Sequence, residues 1–372
     1  MTHSRPPAWV EIETARLRNN FALINAERPP GVELLSVVKD NGYGHGAAVV
    51  AEAAVAAGAS HLGVVTVAEG LELRGAGIDV PILCFGERQE SELAECVASS
   101  ITCVVSAIET VQRLGKLAEE ARRRVPVHLK INTGMNRWGV RWTDAPRVAA
   151  AVHAERWLDL AGLMSHFAMS DETDKTFAMT QLERFRATAE RIGQTDRRPL
   201  RHISNSGGFL DLPMAHLDMV RLGILPLGVY PSLSCRRLPG VLPVMSVKTR
   251  IATIQTLEPG ESAGYGMRFV APTHRRVAVL PVGYGDGYPR PLEPGWVLVR
   301  GRRIPVVAGP SMDAFMVDVT EVAGASLWDE VVLIGTQGTE EITVRDVATW
   351  SGRNVYEILV GWRSRLPRVN VG

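Results

Sequence analysis

Eight times between residue 34 and about residue 224, a short apolar run gives way to an amphipathic stretch. The runs are Leu34–Lys39, His61–Val67, Pro81–Phe85, Ile101–Ser106, Val125–Asn132, Leu160–His166, Leu200–Ser204 and Met219–Gly223. Between them lie patterns such as AAVVAEAAVAAGA, EGLELRGAG, IETVQRLGKLAEEARRR and MTQLERFRATAERI. Short apolar runs bounded by turn residues read as buried strands, and the intervening segments read as helices. Eight βα repeats predict a TIM (β/α)8 barrel. A doubly wound sheet usually has fewer strands and a glycine fingerprint after the first, which is missing here.

The texture changes after about residue 235. KTRIATIQTL, RRVAVLPVGY, WVLVRGRRIPVV, FMVDVT and EVVLIGT are strand-like runs punctuated by Pro and Gly. They predict a mainly β C-terminal domain, with one short helix at TVRDVATWSG capped by Thr343. The expected division is a barrel over 12–235 and a β domain over 236–372, with residues 1–11 packed on the latter.

Composition narrows the function classes. A formal net charge of +1 over 372 residues offers no electrostatic case for nucleic acid. The run Arg122-Arg123-Arg124 suits the solvated end of a helix. Cys84, Cys96, Cys103 and Cys235 lack CxxC spacing and read as free thiols in a reducing compartment. The stretch MTHSRPPAWVEIE is too polar for a signal peptide, and no later segment is apolar enough to span a membrane. These features predict a cytoplasmic protein. Nine histidines without HxH or HExxH spacing give a metal site little support.

In a TIM barrel the chemistry sits at the C-terminal strand ends. Here those ends carry Lys39, Lys130, Asn132 and His166, then Ser204-Asn205-Ser206-Gly207-Gly208 and Arg221-Leu222-Gly223-Ile224. The loops after strands seven and eight often bind phosphate, and these offer hydroxyls and glycine N–H groups. A phosphate site facing a strand-end lysine suggests pyridoxal phosphate, whose aldehyde forms a Schiff base with a lysine amine while a charged residue meets the pyridine nitrogen. Lys39 and Arg221 are the candidates for those two places.

At these residues the chain resembles the alanine racemases. VVKDNGYGHG (37–46) is similar to their cofactor-lysine motif. HLKINTGMNRWG (128–139), SHF (165–167), SNS (204–206), VRLGI (220–224), GYG (264–266), VGYGDGY (282–288), SMDAFMVDV (311–319) and VYEIL (355–359) follow in the family's order. The resemblance implies interconversion of L- and D-alanine, supplying D-alanine for peptidoglycan. Lys39 would hold the cofactor as a Schiff base and act as one base, with Tyr265 as the other. Tyr43, Asn205, Ser206, Gly223, Ile224 and Tyr356 would hold the cofactor, mainly at its phosphate. Arg221 would face the pyridine nitrogen, His166 the ring, and Arg137 the phenolic oxygen and the substrate. Lys130 matches a lysine that can be carbamylated. Tyr265 and Met312 would come from the second subunit of a homodimer, with Asp313 beside them and Tyr284 near the entrance.

Some positions depart from the pattern. Asp40 replaces an alanine, and Ala308-Gly309-Pro310-Ser311 replaces glycine-arginine-valine-cysteine. Ala314 replaces a glutamine, and Leu227 stands where a tyrosine is common. These changes leave a racemase of another amino acid, such as serine, as an alternative. A non-catalytic pyridoxal-phosphate carrier and a decarboxylase of similar architecture are further alternatives. Taken singly, each residue also has a bland reading. Tyr265 could be a hairpin tyrosine, His166 a core histidine, Met312 core filler and Asp313 a turn residue. Racemisation itself requires a proton removed from one face of Cα and returned to the other, which calls for two bases and favours the paired Lys39 and Tyr265.

Overall fold

Leu34 and Leu35 are completely buried, and the run that contains them becomes the strand Glu33–Val37 of a parallel sheet. The computed structural model describes residues 7–193, 198–292 and 294–372; residues 1–6, part of the segment expected on the β domain, lie outside these. By contacts the chain divides into two compact units. One comprises Arg18–Gly42 and Ala47–Val241, the other Met1–Leu17, Tyr43–Gly46 and Leu242–Gly372.

The first unit is the barrel. Its strands run in the order Met219–Leu222, Glu33–Val37, His61–Val64, Ile82–Cys84, Ile101–Val105, Val125–Asn132, Leu158–Met164 and Leu200–His202, each parallel to its neighbour. The N–H of Arg221 donates to the C=O of Ser204 at 3.0 Å and that of Asp218 to Arg201 at 3.1 Å, tying the last strand of this order to the first. Strands buried on both faces need continuous apolar runs, which is why Ile101–Val105 is buried at every position. The helix Ile108–Glu120 buries Val111, Leu114 and Ala118 along one face. Burying each of the two larger side chains contributes about 1.5–3 kcal/mol. Thr66 and Glu69 form a capping box at the start of the helix Val67–Gly75.

Several strands stop short of the runs read from sequence. Glu33–Val37 ends two residues before Lys39, Leu158–Met164 two before His166, and Leu200–His202 two before Ser204. Past the last ladder bond the backbone turns away. After Lys39 it does so abruptly, because Asp40, Asn41, Gly42 and Tyr43 all have φ between 50° and 61°. Asp, Asn and Gly are the residues that enter this left-handed region most readily. Asp40 therefore suits the turn better than an alanine would.

The second unit is a largely antiparallel sheet. Its order is Thr253–Leu257, Arg275–Leu280, Phe315–Asp318, Arg302–Val307, Trp296–Val299, Glu330–Gln337, Met245–Arg250, Ala8–Glu13 and Arg368–Val371, with Glu340–Ile342 branching from Glu330–Gln337. Only the pairing of Ala8–Glu13 with Arg368–Val371 is parallel among these described pairings. The helix Val344–Ser351 forms as expected. The Thr343 side chain accepts from the N–H of Asp346, and Gly352 closes the helix in a left-handed conformation. A second helix, Val355–Gly361, was not expected. It spans seven residues, too few for a periodic pattern, and its Asn354 cap is its main sequence signal.

Candidate active site

The turn that follows Lys39 is pinned on three sides. The Asp40 N–H donates to Glu69 Oε1 at 2.7 Å, and the Gly42 N–H to the C=O of Val38 at 2.8 Å. Asn41 Oδ1 accepts from the N–H of Ala47 at 2.9 Å, starting the next helix. Glu69 Oε2 also accepts from the N–H groups of Val65 and Thr66, so one carboxylate ties together the loops after the first two strands.

Arg221, on the strand Met219–Leu222, is 3% exposed. Its Nη2 donates to the carbonyls of Ser165 at 2.8 Å and Ile203 at 3.2 Å, and to His166 Nδ1 at 3.1 Å. Its Nη1 donates to His202 Nδ1 at 3.1 Å. A guanidinium has no acceptor, so both histidines must present a bare Nδ1 to it. Burial, reinforced by Arg221, Lys130, Arg137 and Lys39, holds His166 well below the usual imidazole range. Burial also pulls Arg221 down to about 9, which leaves it charged at neutral pH. Lys130 is pushed well below the ordinary lysine range by burial and then by Arg221 and Arg137.

The loop carrying Arg137 is built on Asn132, whose Oδ1 accepts from the N–H groups of Gly134 and Asn136, both at 3.1 Å. The loop returns against its own strand at Gly139, where φ is 110°. A Cβ there would sit 2.9 Å from the Asn132 nitrogen and from Lys130 Cγ. Behind it, the buried Gln181 amide donates to the C=O of His166 at 3.0 Å and to Thr133 Oγ1 at 3.2 Å.

The loops after strands seven and eight meet. Asn205 Oδ1 accepts from the Gly208 N–H at 2.9 Å and from Ser170 Oγ at 2.8 Å, and Ser206 Oγ accepts from the N–H of Leu225 at 3.4 Å. Gly223 and Ile224 are buried in the same segment. Four basic groups, Arg221, Lys130, Arg137 and Lys39, act on His166. A cluster of basic groups suits an anionic cofactor, and the hydroxyls and N–H groups of these loops suit a phosphate.

In the β unit the structure brings other expected residues together. The rings of Tyr43 and Tyr356 have centroids 6.3 Å apart. The Tyr284 N–H donates to the C=O of Ser311 at 3.1 Å and that of Gly285 to Met312 at 2.8 Å, stitching the Tyr284 turn to the Met312 segment. Arg365 bridges Asp286 and Asp313 at 3.2 and 2.8 Å. Tyr265 stands on a turn between the paired strands Ser262–Ala263 and Phe269–Val270 and is 81% exposed. Ser311, where the resemblance implies a cysteine, donates its hydroxyl to the C=O of Ala314 and accepts from that residue's N–H, closing its own turn. Arg365, Glu69, Gln181, His128 and His202 were not singled out from sequence. His128 does lie within the HLKIN segment, two residues from Lys130, and that proximity was the available signal.

Among known proteins, residues 12–231 match the family model of the alanine racemase N-terminal domain, and residues 244–370 that of the C-terminal domain. The alanine racemase of Syntrophobacter fumaroxidans is 41% identical over 359 residues, covering 96% of this chain and 95% of that protein. The crystal structure of alanine racemase from D-cycloserine-producing Streptomyces lavendulae is 35% identical with a TM-score of 0.93, covering 100% of this chain and 98% of that one. The Bacillus anthracis enzyme with bound L-Ala-P is 31% identical with a TM-score of 0.93, covering 100% and 96%. With both halves matched and the likeness running through nearly the whole length, the chain belongs to the alanine racemase family.

Proposed function

We propose that this chain is a pyridoxal-phosphate-dependent racemase that interconverts L- and D-alanine. The observation that carries the reading is Arg221: a buried cation at the strand ends, hydrogen-bonded to His166, in a chain related over its length to alanine racemases. Pyridoxal phosphate, when bound, supplies a conjugated ring that accepts electron density from the substrate's Cα–H bond. We assign its phosphate to Ser206, Gly223 and Ile224, its attachment to Lys39, and its phenolic side to Arg137. We assign Arg221 to the pyridine nitrogen: because a guanidinium keeps its protons, that nitrogen would stay unprotonated, a weaker electron sink that would limit side reactions.

Lys39 Nζ serves one face of Cα, and Tyr265 Oη serves the other. Tyr265 comes from a second copy of the chain, a reading supported by its 81% exposure and by the exposure of Met267 and Met312 on the same unit. Burial of an aromatic base against a partner would exclude water from the reacting proton. Lys130, held well below the ordinary lysine range by burial and then by Arg221 and Arg137, is the amine we assign to carbamylation, which would give Arg137 a carboxylate partner. Four buried free thiols support a cytoplasmic setting. Among the described residues, no helix is long and apolar enough to cross a membrane.

The test is incubation of the purified protein with L-alanine, followed by chiral separation. Loss of optical purity is expected, faster than for L-serine, and borohydride reduction followed by peptide mapping should label Lys39. L-Alanine left unchanged while another amino acid racemises would transfer the assignment to that substrate.

A further inference from the structure

Behind Arg221, inside the barrel, stands a column of side chains that the assignments above leave without a role. His128 and His202 are 2% and 0% exposed. His128 Nδ1 lies 2.8 Å from His202 Nε2, and the far nitrogen of His202, Nδ1, receives Arg221 Nη1. Because the guanidinium can only donate, the single proton of neutral His202 must sit on Nε2. That proton points at His128 Nδ1, which must therefore be bare. His202 is thus held from both ends, Arg221 requiring a bare Nδ1 and His128 Nδ1 taking the proton on Nε2.

The barrel wall is shaped to admit this column. Gly162 is the strand partner of His128, and a Cβ there would lie 2.4 Å from His128 Nδ1. Beyond His128, the His61 ring stands edge-on with its centroid 6.3 Å away, and His61 in turn meets Glu33 at 3.3 Å.

We propose that His128 is a positioning residue for racemisation: by accepting the His202 Nε2–H, it locks His202 in the tautomer that takes a hydrogen bond from Arg221, and so fixes the guanidinium against His166. The kinetic part rests on the racemase reading, whereas the hydrogen-bond direction does not. Without an acceptor at residue 128, the His202 proton is released to Nδ1. There it would face the Arg221 N–H groups, donor against donor, and displace the guanidinium.

Two variants separate this from mere packing. His128→Asn places an amide oxygen where Nδ1 was, and His128→Leu fills the space without an acceptor. Nitrogen NMR of the cofactor-free chain with labelled histidine should show His202 protonated on Nε2 in the wild type and in His128→Asn, with the tautomers mixed in His128→Leu. In the loaded enzyme, His128→Leu should lower kcat roughly tenfold with KM within about twofold, and His128→Asn should recover to within about threefold of wild type. A wild-type His202 protonated on Nδ1 overturns the proposal, and so does equal loss of kcat in both variants. If His128→Leu fails to fold, the wild-type spectrum and His128→Asn decide alone. A wild type that racemises no amino acid rejects the racemase reading, and with it the kinetic part, whatever the tautomer.

Discussion

Arg221 Nη2 donates to His166 Nδ1 at 3.1 Å, a contact between residues 55 positions apart that neither could make from its own loop. It leaves His166 neutral with its proton on Nε2, and it leaves Arg221 charged with its plane set by the carbonyls of Ser165 and Ile203. A donor-only cation and a neutral imidazole then stand side by side within the barrel.

Replacing that cation by an acid should change what the site does with a substrate. In Arg221→Glu the donors to His166 and His202 are lost, and a group able to exchange a proton takes their place. Racemisation should fall at least tenfold, since hydrogen bonds from a charged group contribute about 1.5–3 kcal/mol each. The keto acid formed by transamination should take a larger share of product. Chiral analysis with keto-acid assay checks both, and unchanged partitioning would show that Arg221 does not govern the electron sink.

Lys39 and Tyr265, assigned to different copies of the chain, should complement one another. Lys39→Ala and Tyr265→Ala, each nearly inactive, are mixed and allowed to exchange subunits. Half of the randomly assembled dimers are mixed and each has one intact site, so roughly a quarter of wild-type activity should return. No recovery, with exchange shown independently by mass spectrometry, would place both bases in one chain.

Acid should destabilise the fold through the buried histidines. Burial lowers His128 from 6.5 to about 3, and His166 and His202 shift the same way. Because these folded-state values are depressed, the unfolded chain binds protons first as pH falls. The stability they contribute is complete above 6.5 and, for His128, is lost as pH drops from 6.5 toward about 3. The slope is up to ~1.4 kcal/mol per pH unit for each histidine. Denaturant midpoints at about pH 8, 6.5 and 5 should be flat across the first interval and fall across the second.

Gly139→Ala should damage the Arg137 loop. The new methyl meets the Asn132 nitrogen and Lys130 at 2.9 Å in a backbone conformation that disfavours side chains. The strain is on the order of 1–3 kcal/mol. Calorimetry should show a melting midpoint lower by a few degrees, and KM should rise as Arg137 is displaced. A variant with wild-type midpoint and KM would mean that the loop relaxes without cost.

The barrel was legible from the sequence because its signals are local. An apolar run, a glycine turn and an amphipathic helix each occupy about a dozen neighbouring residues, and eight repetitions leave one architecture that fits. The same local chemistry put Lys39 within two residues of a strand end and Thr343 at a helix cap, and the order of motifs carried the family likeness. Other features were decided only by the tertiary structure. The left-handed turn of Asp40 and Asn41, the stitching of Tyr284 to the Met312 segment, and the column His128–His202–Arg221 join residues or conformations that no local period announces. His128 lies 74 positions before His202 and Arg221 19 after it, each on a different strand, and the stagger of the closed barrel sets which of their inward side chains share a level. A histidine in an apolar strand reads the same whether it packs or orients a cation; the difference is the 2.8 Å to its neighbour, which exists only once the barrel has closed.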